Sequence, residues 1–282
     1  MRRPPPTVEE IWRAYDAVEE RLTAPVSERM LALAGLEPGC RVLDLATGRG
    51  EPAVRAARRV APGGAVVGID IAESMLRMAR ERAEREGVVN LELKVGNAET
   101  LDGLTDRRFD AALSRWGLMY LEAPVAALAA TRAVLVPGAK LVLAVWAEPE
   151  RVDFFSLPRR VLAQYAPVPA IDFEAPGTFR YADQRRFERD LATAGFTIES
   201  VEEQEVEVME AASAAELIAW TRAFGMTRLL NELPEDIQTA WEKDLVKECR
   251  PLGRNGLVRL GGTTRIVVAR PTASTGDEKA HS

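Results

Sequence analysis

The stretch "VLDLATGRGEPAV", Val42–Val54, passes from an apolar run into a turn of small residues and then into helical periodicity. The apolar run, extended to 41–46, reads as a short buried strand bounded by "PGC" before it and glycines after it. Beyond the turn, Ala53, Val54, Ala57, Val60 and Ala61 form one helical face, and Pro52 sits where a first helical turn tolerates proline. A strand-to-helix turn leaves the first N–H groups of the helix without intrahelical partners, and small side chains let a charged or phosphorylated ligand reach them. The small positions are Ala46, Thr47, Gly48 and Gly50. The A-x-G-x-G spacing followed by Pro52 departs from the dinucleotide fingerprint, which argues against a nicotinamide oxidoreductase. A turn needed only for strand–helix packing would have the same composition, so this stretch alone names no ligand.

The rhythm continues outward. Strands are expected at 65–70, 91–95, 109–114 and 140–146, with helices between them, and this alternation predicts a parallel sheet with helices on both faces. Residues 8–36 read as helical and close at Gly35. After Trp146 the chain turns rich in proline and aromatics through 182, and "APVPAIDFEAPGTFRY" within it is expected to be irregular. A helix capped by Asp183 and stopped at Gly195 follows, then a strand in "TIESVEEQEVEV", then a helix opened by the Ser213/Glu216 capping box. Ile237, Ala240, Trp241, Leu245 and Cys249 share a stripe. The expected organisation is an N-terminal helical cap over 1–40, a core over 41–204, a helical lid inserted at 205–262, a seventh core strand at 263–270, and a disordered tail over 271–282.

Asp70 sharpens the ligand. It ends the second strand, where a carboxylate can accept both hydroxyls of a ribose. Ile71 beside it, with Met75 one helical turn on, can lie against an adenine face. Asn97 and the Ala98 backbone, at the end of the third strand, can read an adenine edge. Each position could be an ordinary strand end; together, in this order, they point to adenosine.

Composition narrows the chemistry. Of 282 residues, 47% are hydrophobic and 28% charged, which fits a globular protein with a sizeable core. A net charge of −6 argues against nucleic acid as partner. No integral membrane segment or signal peptide is read, and two distant cysteines, Cys40 and Cys249, suggest a reducing compartment, so cytoplasm is expected. The single histidine, His281, lies in the polar tail, which argues against a histidine base or a histidine-ligated metal.

"VLDLATGRGEPAV", "GIDIAESML", "VGNAETL", "FDAALSRWGLMYLEAP" and "LVPGAKLVLAVW" resemble the successive motifs of class I S-adenosylmethionine-dependent methyltransferases, and are similar to the branch of the ubiquinone/menaquinone C-methyltransferases. The resemblance implies a Rossmann-like, mostly parallel seven-stranded α/β fold with S-adenosylmethionine as cofactor. It places Asp44 to Gly50 around the methionine half, Asp70 on the ribose, Ile71 and Met75 on the adenine, and Asn97 and Ala98 at its edge. Ser114 and Arg115, after the fourth strand, are further cofactor candidates, and Tyr15 is a candidate contact from the first helix. Two positions depart from the family pattern: Ala46 stands for a glycine and Asn97 for an aspartate. Arg49, bulkier than the family's common threonine, is expected to point to solvent.

The acceptor is less constrained. Ser114-Arg115-Trp116-Gly117 replaces the N/D-P-P-Y/F stretch of enzymes that methylate base amines or glutamine amides. A small, apolar or aromatic metabolite methylated at carbon or oxygen is therefore expected. Arg115 is a candidate anchor for an acidic group of the cofactor or substrate, or an ion-pair partner of Glu122; Met119 and Tyr120 are candidates for the acceptor wall. Phe154 and Phe155 are left open, and Trp220 and Trp241 are expected in the lid's core. No catalytic side chain, metal ligand or oligomeric state is read. A non-catalytic S-adenosylmethionine sensor or assembly subunit with the same fold is the alternative.

Overall fold

A computed structural model describes residues 8–272. His281 lies outside them.

The long N-terminal helix α1 (Val8–Ala34) ends at Gly35, whose φ of +67° suits a residue without a Cβ. The alternating region follows as β1 (Arg41–Leu45), α2 (Ala53–Val60), β2 (Ala65–Asp70), α3 (Glu73–Arg85), β3 (Leu91–Val95), β4 (Phe109–Arg115), α4 (Pro124–Val134) and β5 (Leu135–Trp146). Then come α5 (Asp153–Leu162), α6 (Gln184–Thr193), β6 (Phe196–Ala211), α7 (Ala214–Thr221), α8 (Thr227–Asn231), α9 (Glu235–Cys249), a two-residue β7 (Gly253–Arg254) and β8 (Leu257–Pro271). The strands lie in the order β3-β2-β1-β4-β5-β8-β6, with β7 paired to β8. Strands β1 to β5 are parallel, and β8 runs antiparallel to both β5 and β6. The expected mostly parallel Rossmann-like sheet is present, with its seven main strands. Val42, Leu43, Leu113, Leu141 and Val142 are fully buried because helices cover both faces of the central strands.

The strand order reverses between β1 and β4, and loops on its two sides diverge there, opening a crevice at the strands' carboxyl ends. Two additions roof it. Helix α1 lies against β5 and β6, α5 and α7 each pack on α9, and α8 follows from the turn after α7. The Trp241 indole of α9 is fully buried and donates to the Pro158 carbonyl of α5 at 3.0 Å.

Two expected boundaries move. The helical lid spans 214–252 rather than 205–262, because β6 and β8 continue pairing as far as Ala211 with Val258. Gly261 and Gly262, inside the expected lid, are strand residues of β8 at a close crossing. A Cβ on Gly261 would lie 1.9 Å from the Val206 carbonyl oxygen, and one on Gly262 2.5 Å from Val152 Cα. Within 147–182, α5 precedes the stretch 166–181, which carries neither helix nor strand, as expected. Pro271 ends β8, and the Thr272 N–H donates to the Gly195 carbonyl at 2.9 Å, so the last strand runs past the expected 270, while 273–282 of the expected tail lie outside the described residues.

Candidate active site

A cavity of about 900 Å³ occupies the crevice, within the usual range for small-molecule sites. Its two halves are built differently.

The first half is made at strand ends. Thr47 hydroxyl donates to the buried Asp44 carboxylate at 2.6 Å and pins the turn after β1. Gly48, at φ +54°, has no atom within 4 Å of where a Cβ would stand, so its outer face is open to a ligand. Its N–H donates to Asp70 Oδ2 at 2.8 Å, and the Ala72 N–H donates to Oδ1 at 2.9 Å. Two backbone donors thus hold the half-exposed Asp70 carboxylate at the cavity wall while lone pairs remain for a ligand. Ile71 is 77% exposed beside it, with Met75 following on the same wall. Asn97 and Ala98 complete this end; Asn97 Oδ1 accepts the Glu99 N–H at 2.9 Å.

The second half is aromatic. Trp116 and Trp146 stack at 4.6 Å with 9° between their planes. Trp146 meets Phe155 at 5.8 Å, Phe155 meets Phe154 at 4.6 Å, and Phe154 meets Phe224 at 6.0 Å. Trp220 closes the arc at 5.0 Å from Phe224. Trp116 holds φ +56°, a costly conformation for a bulky residue, and its surroundings over-determine it. Its backbone N–H donates to Ala144, its indole donates to Thr264 Oγ1 at 2.9 Å, and the Arg115 guanidinium lies 4.8 Å over its ring. Met119 is buried on this wall, and Tyr120 stands half-exposed with its hydroxyl 3.0 Å from Thr178.

A charged seam joins both halves to α1. Arg49 is 9% exposed, not in solvent as expected: it pairs with Asp16 and Glu19 and lies 4.1 Å over Trp12. Burial, with Arg82 and Arg115 nearby, lowers its pKa to about 9. Arg115 does not pair with Glu122; it donates to Thr23 at 2.6 Å, to Ser27 at 3.2 Å and to Glu19 at 3.4 Å. Glu19 is buried, and that burial raises its pKa against the opposing pull of Arg115 and Arg82. Burial likewise pushes the Asp44 carboxyl up to about 7, and one of its oxygens has no hydrogen-bond partner.

Ala46, Thr47, Gly48, Asp70, Ile71, Met75, Asn97, Ala98, Arg115, Met119 and Tyr120 therefore converge on one cavity. Tyr15, Asp44, Gly50 and Ser114 stand behind its wall. Tyr15 packs on Trp220 at 3.8 Å, Ser114 hydroxyl donates to the Leu45 carbonyl at 3.0 Å, and Gly50 lets α3 approach, with Ala79 Cβ 3.1 Å from where its own Cβ would lie. The sequence reading missed Trp12, Glu19, Gly117, Trp146 and Phe224 on the wall and placed Trp220 in the lid's core alone. For Gly117 a signal existed: Ala46 takes φ +51°, and a Cβ on Gly117 would come 2.6 Å from the Ala46 methyl, so the alanine in one turn is matched by the glycine in another. Among the described residues no cluster of potential metal ligands occurs, and no helix is long and apolar enough to cross a membrane.

Comparison with known proteins agrees with this layout. Residues 36–153 match a methyltransferase-domain family. The chain is 30% identical over 253 residues to nocamycin O-methyltransferase of Saccharothrix syringae, covering 83% of this chain and 86% of that one. It is 31% identical over 173 residues to a ubiquinone/menaquinone biosynthesis C-methyltransferase of Shewanella pealeana, covering 58% and 68% respectively. The fold is shared with a solved S-adenosylmethionine-dependent methyltransferase from Aquifex aeolicus, at a TM-score of 0.52 and 23% identity over 70% of this chain and 92% of that one. With a cofactor-type crevice at the strand ends and a relative matched along most of its length, the chain belongs to the class I S-adenosylmethionine-dependent methyltransferases.

Proposed function

We propose that the enzyme methylates a carbon or oxygen atom of a small, flat, apolar or aromatic metabolite, held against the Trp116–Trp146–Phe155 wall. The observation that carries this reading is the continuity of that aromatic wall with the strand-end half of the same cavity. S-adenosylmethionine supplies an electrophilic methyl group on a sulfonium. The chain's task is to align an acceptor with that methyl and keep water out. Gly48 and the neighbouring turn present open backbone, Asp70 offers its remaining lone pairs to the ribose hydroxyls, and Ile71 gives an adenine an apolar face now left in solvent. Asp44 fits a supporting role: it fixes the turn through Thr47 from behind the wall.

The acceptor half offers stacking surface, and ring faces select flat ligands with little demand on their hydrogen-bonding pattern. Relatives named for O- and for C-methylation fit an acceptor that brings its own nucleophilic oxygen or carbon. The test is transfer of a labelled methyl group to a panel of phenols, quinols, aromatic acids and amines. Methylation at carbon or oxygen of aromatic members is expected. Transfer to aliphatic amines alone would overturn the reading.

A further inference from the structure

We propose that Arg49 and Trp12 couple the cofactor half of the cavity to the lid, so that a filled strand-end site orders the wall against which the acceptor binds. The proposal rests on the placement of the cofactor given above and extends it to a coupling between that site and the lid.

The coupling runs through three touching groups. Arg49 belongs to the turn after β1, and its guanidinium lies 4.1 Å over the Trp12 ring. Trp12 in turn meets Phe224 edge-on at 4.5 Å and 71°. Phe224 sits in the wide turn joining α7 to α8, outside helical geometry at φ −98° and ψ 61°, and Gly225 follows at φ +109°. All of these residues border the cavity.

The anchoring on either side of this contact is unequal. On the cofactor side α1 is tied down by charge: Asp16 accepts from Arg82 at 2.9 Å, Glu20 pairs with Arg82 at 3.1 Å, and Arg49 pairs with Asp16 and Glu19. On the lid side, Arg222 pairs with Glu242 at 2.7 Å and fixes the end of α7 to α9, but the next residues change direction. A Cβ on Gly225 would meet nothing within 4 Å. The lid therefore has a joint at 224–225: ahead of it Trp220 packs on Tyr15 of α1 at 3.8 Å, and at the joint itself α1 is met by the Phe224 ring, edge-on to Trp12. A ligand that immobilises the turn around Arg49 favours the arrangement in which Trp12 and Phe224 stay packed, and such a differential contact is what coupling between two sites requires.

Hydrogen–deuterium exchange with S-adenosylhomocysteine as the probe tests this without knowledge of the acceptor. Each protein is measured free and at saturating probe. In the wild type, exchange should slow both at the turn 46–50 and at 222–231, by about fivefold or more at the latter, the lower end of usual coupling strengths. In Trp12→Ala the turn should still be protected while the probe-dependent protection at 222–231 disappears; Trp12→Phe, which keeps a ring in place, should restore it. Equal protection of 222–231 in wild type and Trp12→Ala would overturn the coupling, as would a wild type protected at the turn alone. A wild type with no protection at the turn would instead refute the cofactor's placement, and the coupling with it.

Discussion

The two halves of the cavity are made by different means. The strand-end half is backbone work: N–H groups of Gly48 and Ala72 hold Asp70, and each contributing residue ends a strand or opens a helix close in sequence to the next. The aromatic half is side-chain work, assembled from Trp116, Trp146, Phe155 and Phe224 on segments that only the tertiary fold brings together. The contrast suggests a division of labour. On the proposed placement, a constant cofactor is met by fixed backbone geometry and the acceptor by ring surfaces that substitution can reshape without disturbing the turns.

Several substitutions probe that division, and the largest effect is expected in the aromatic half. Trp146 is 3% exposed and stacked on Trp116, so Trp146→Ala should cost about 3–5 kcal/mol of folding stability in urea titrations. A negligible loss would mean that the wall is a lining only and carries no core. Next, Asp70→Ala removes the acceptor of two backbone N–H groups and, on the proposed placement, of the ribose hydroxyls, and should weaken S-adenosylhomocysteine binding by about 1.5–3 kcal/mol in calorimetry. An affinity changed less than about twofold would remove Asp70 from the site.

Asp44 offers a test through pH. Its carboxyl, raised by burial from 3.8 to about 7, binds a proton more readily in the folded than in the unfolded chain. Its contribution to stability is thus fullest at low pH and is lost as pH rises through 7. Between pH 5 and pH 8 the wild type should lose about 2–3 kcal/mol relative to Asp44→Asn, read from paired urea titrations. Parallel pH curves for the two proteins would contradict this. The smallest effect is expected for Phe155→Leu, which keeps apolar bulk but loses the ring faces toward Trp146 and Phe154. It should raise KM for an aromatic acceptor by about 2–10-fold and leave S-adenosylhomocysteine affinity alone. A shift in the latter would blur the boundary between the halves.

The same contrast explains what could be read before the fold was known. Asp70, Ile71, Met75, Asn97 and Ala98 were legible because the chemistry of a strand end is local: a carboxylate after an apolar run is informative wherever the sheet lies. Trp146 and Phe224 were not, since an aromatic residue looks alike whether it fills a core or lines a cavity. Arg49 was misjudged for a related reason. Its partners Asp16 and Glu19 stand on a helix thirty or so positions away in sequence, and acids at 16, 19 and 20 on one helical face were the available sign that buried cations awaited them. The far edge of the expected lid fell at 262, past Gly261 and Gly262, which crowding by Val206 and Val152 accommodates within β8 only as glycines.

The most direct test of the two-part cavity is a crystal structure with S-adenosylhomocysteine bound. The account predicts the nucleoside against Gly48, Asp70 and Ala98, with the space before Trp116, Trp146 and Phe155 left free for an acceptor. A nucleoside stacked on that aromatic wall, away from Asp70, would contradict it.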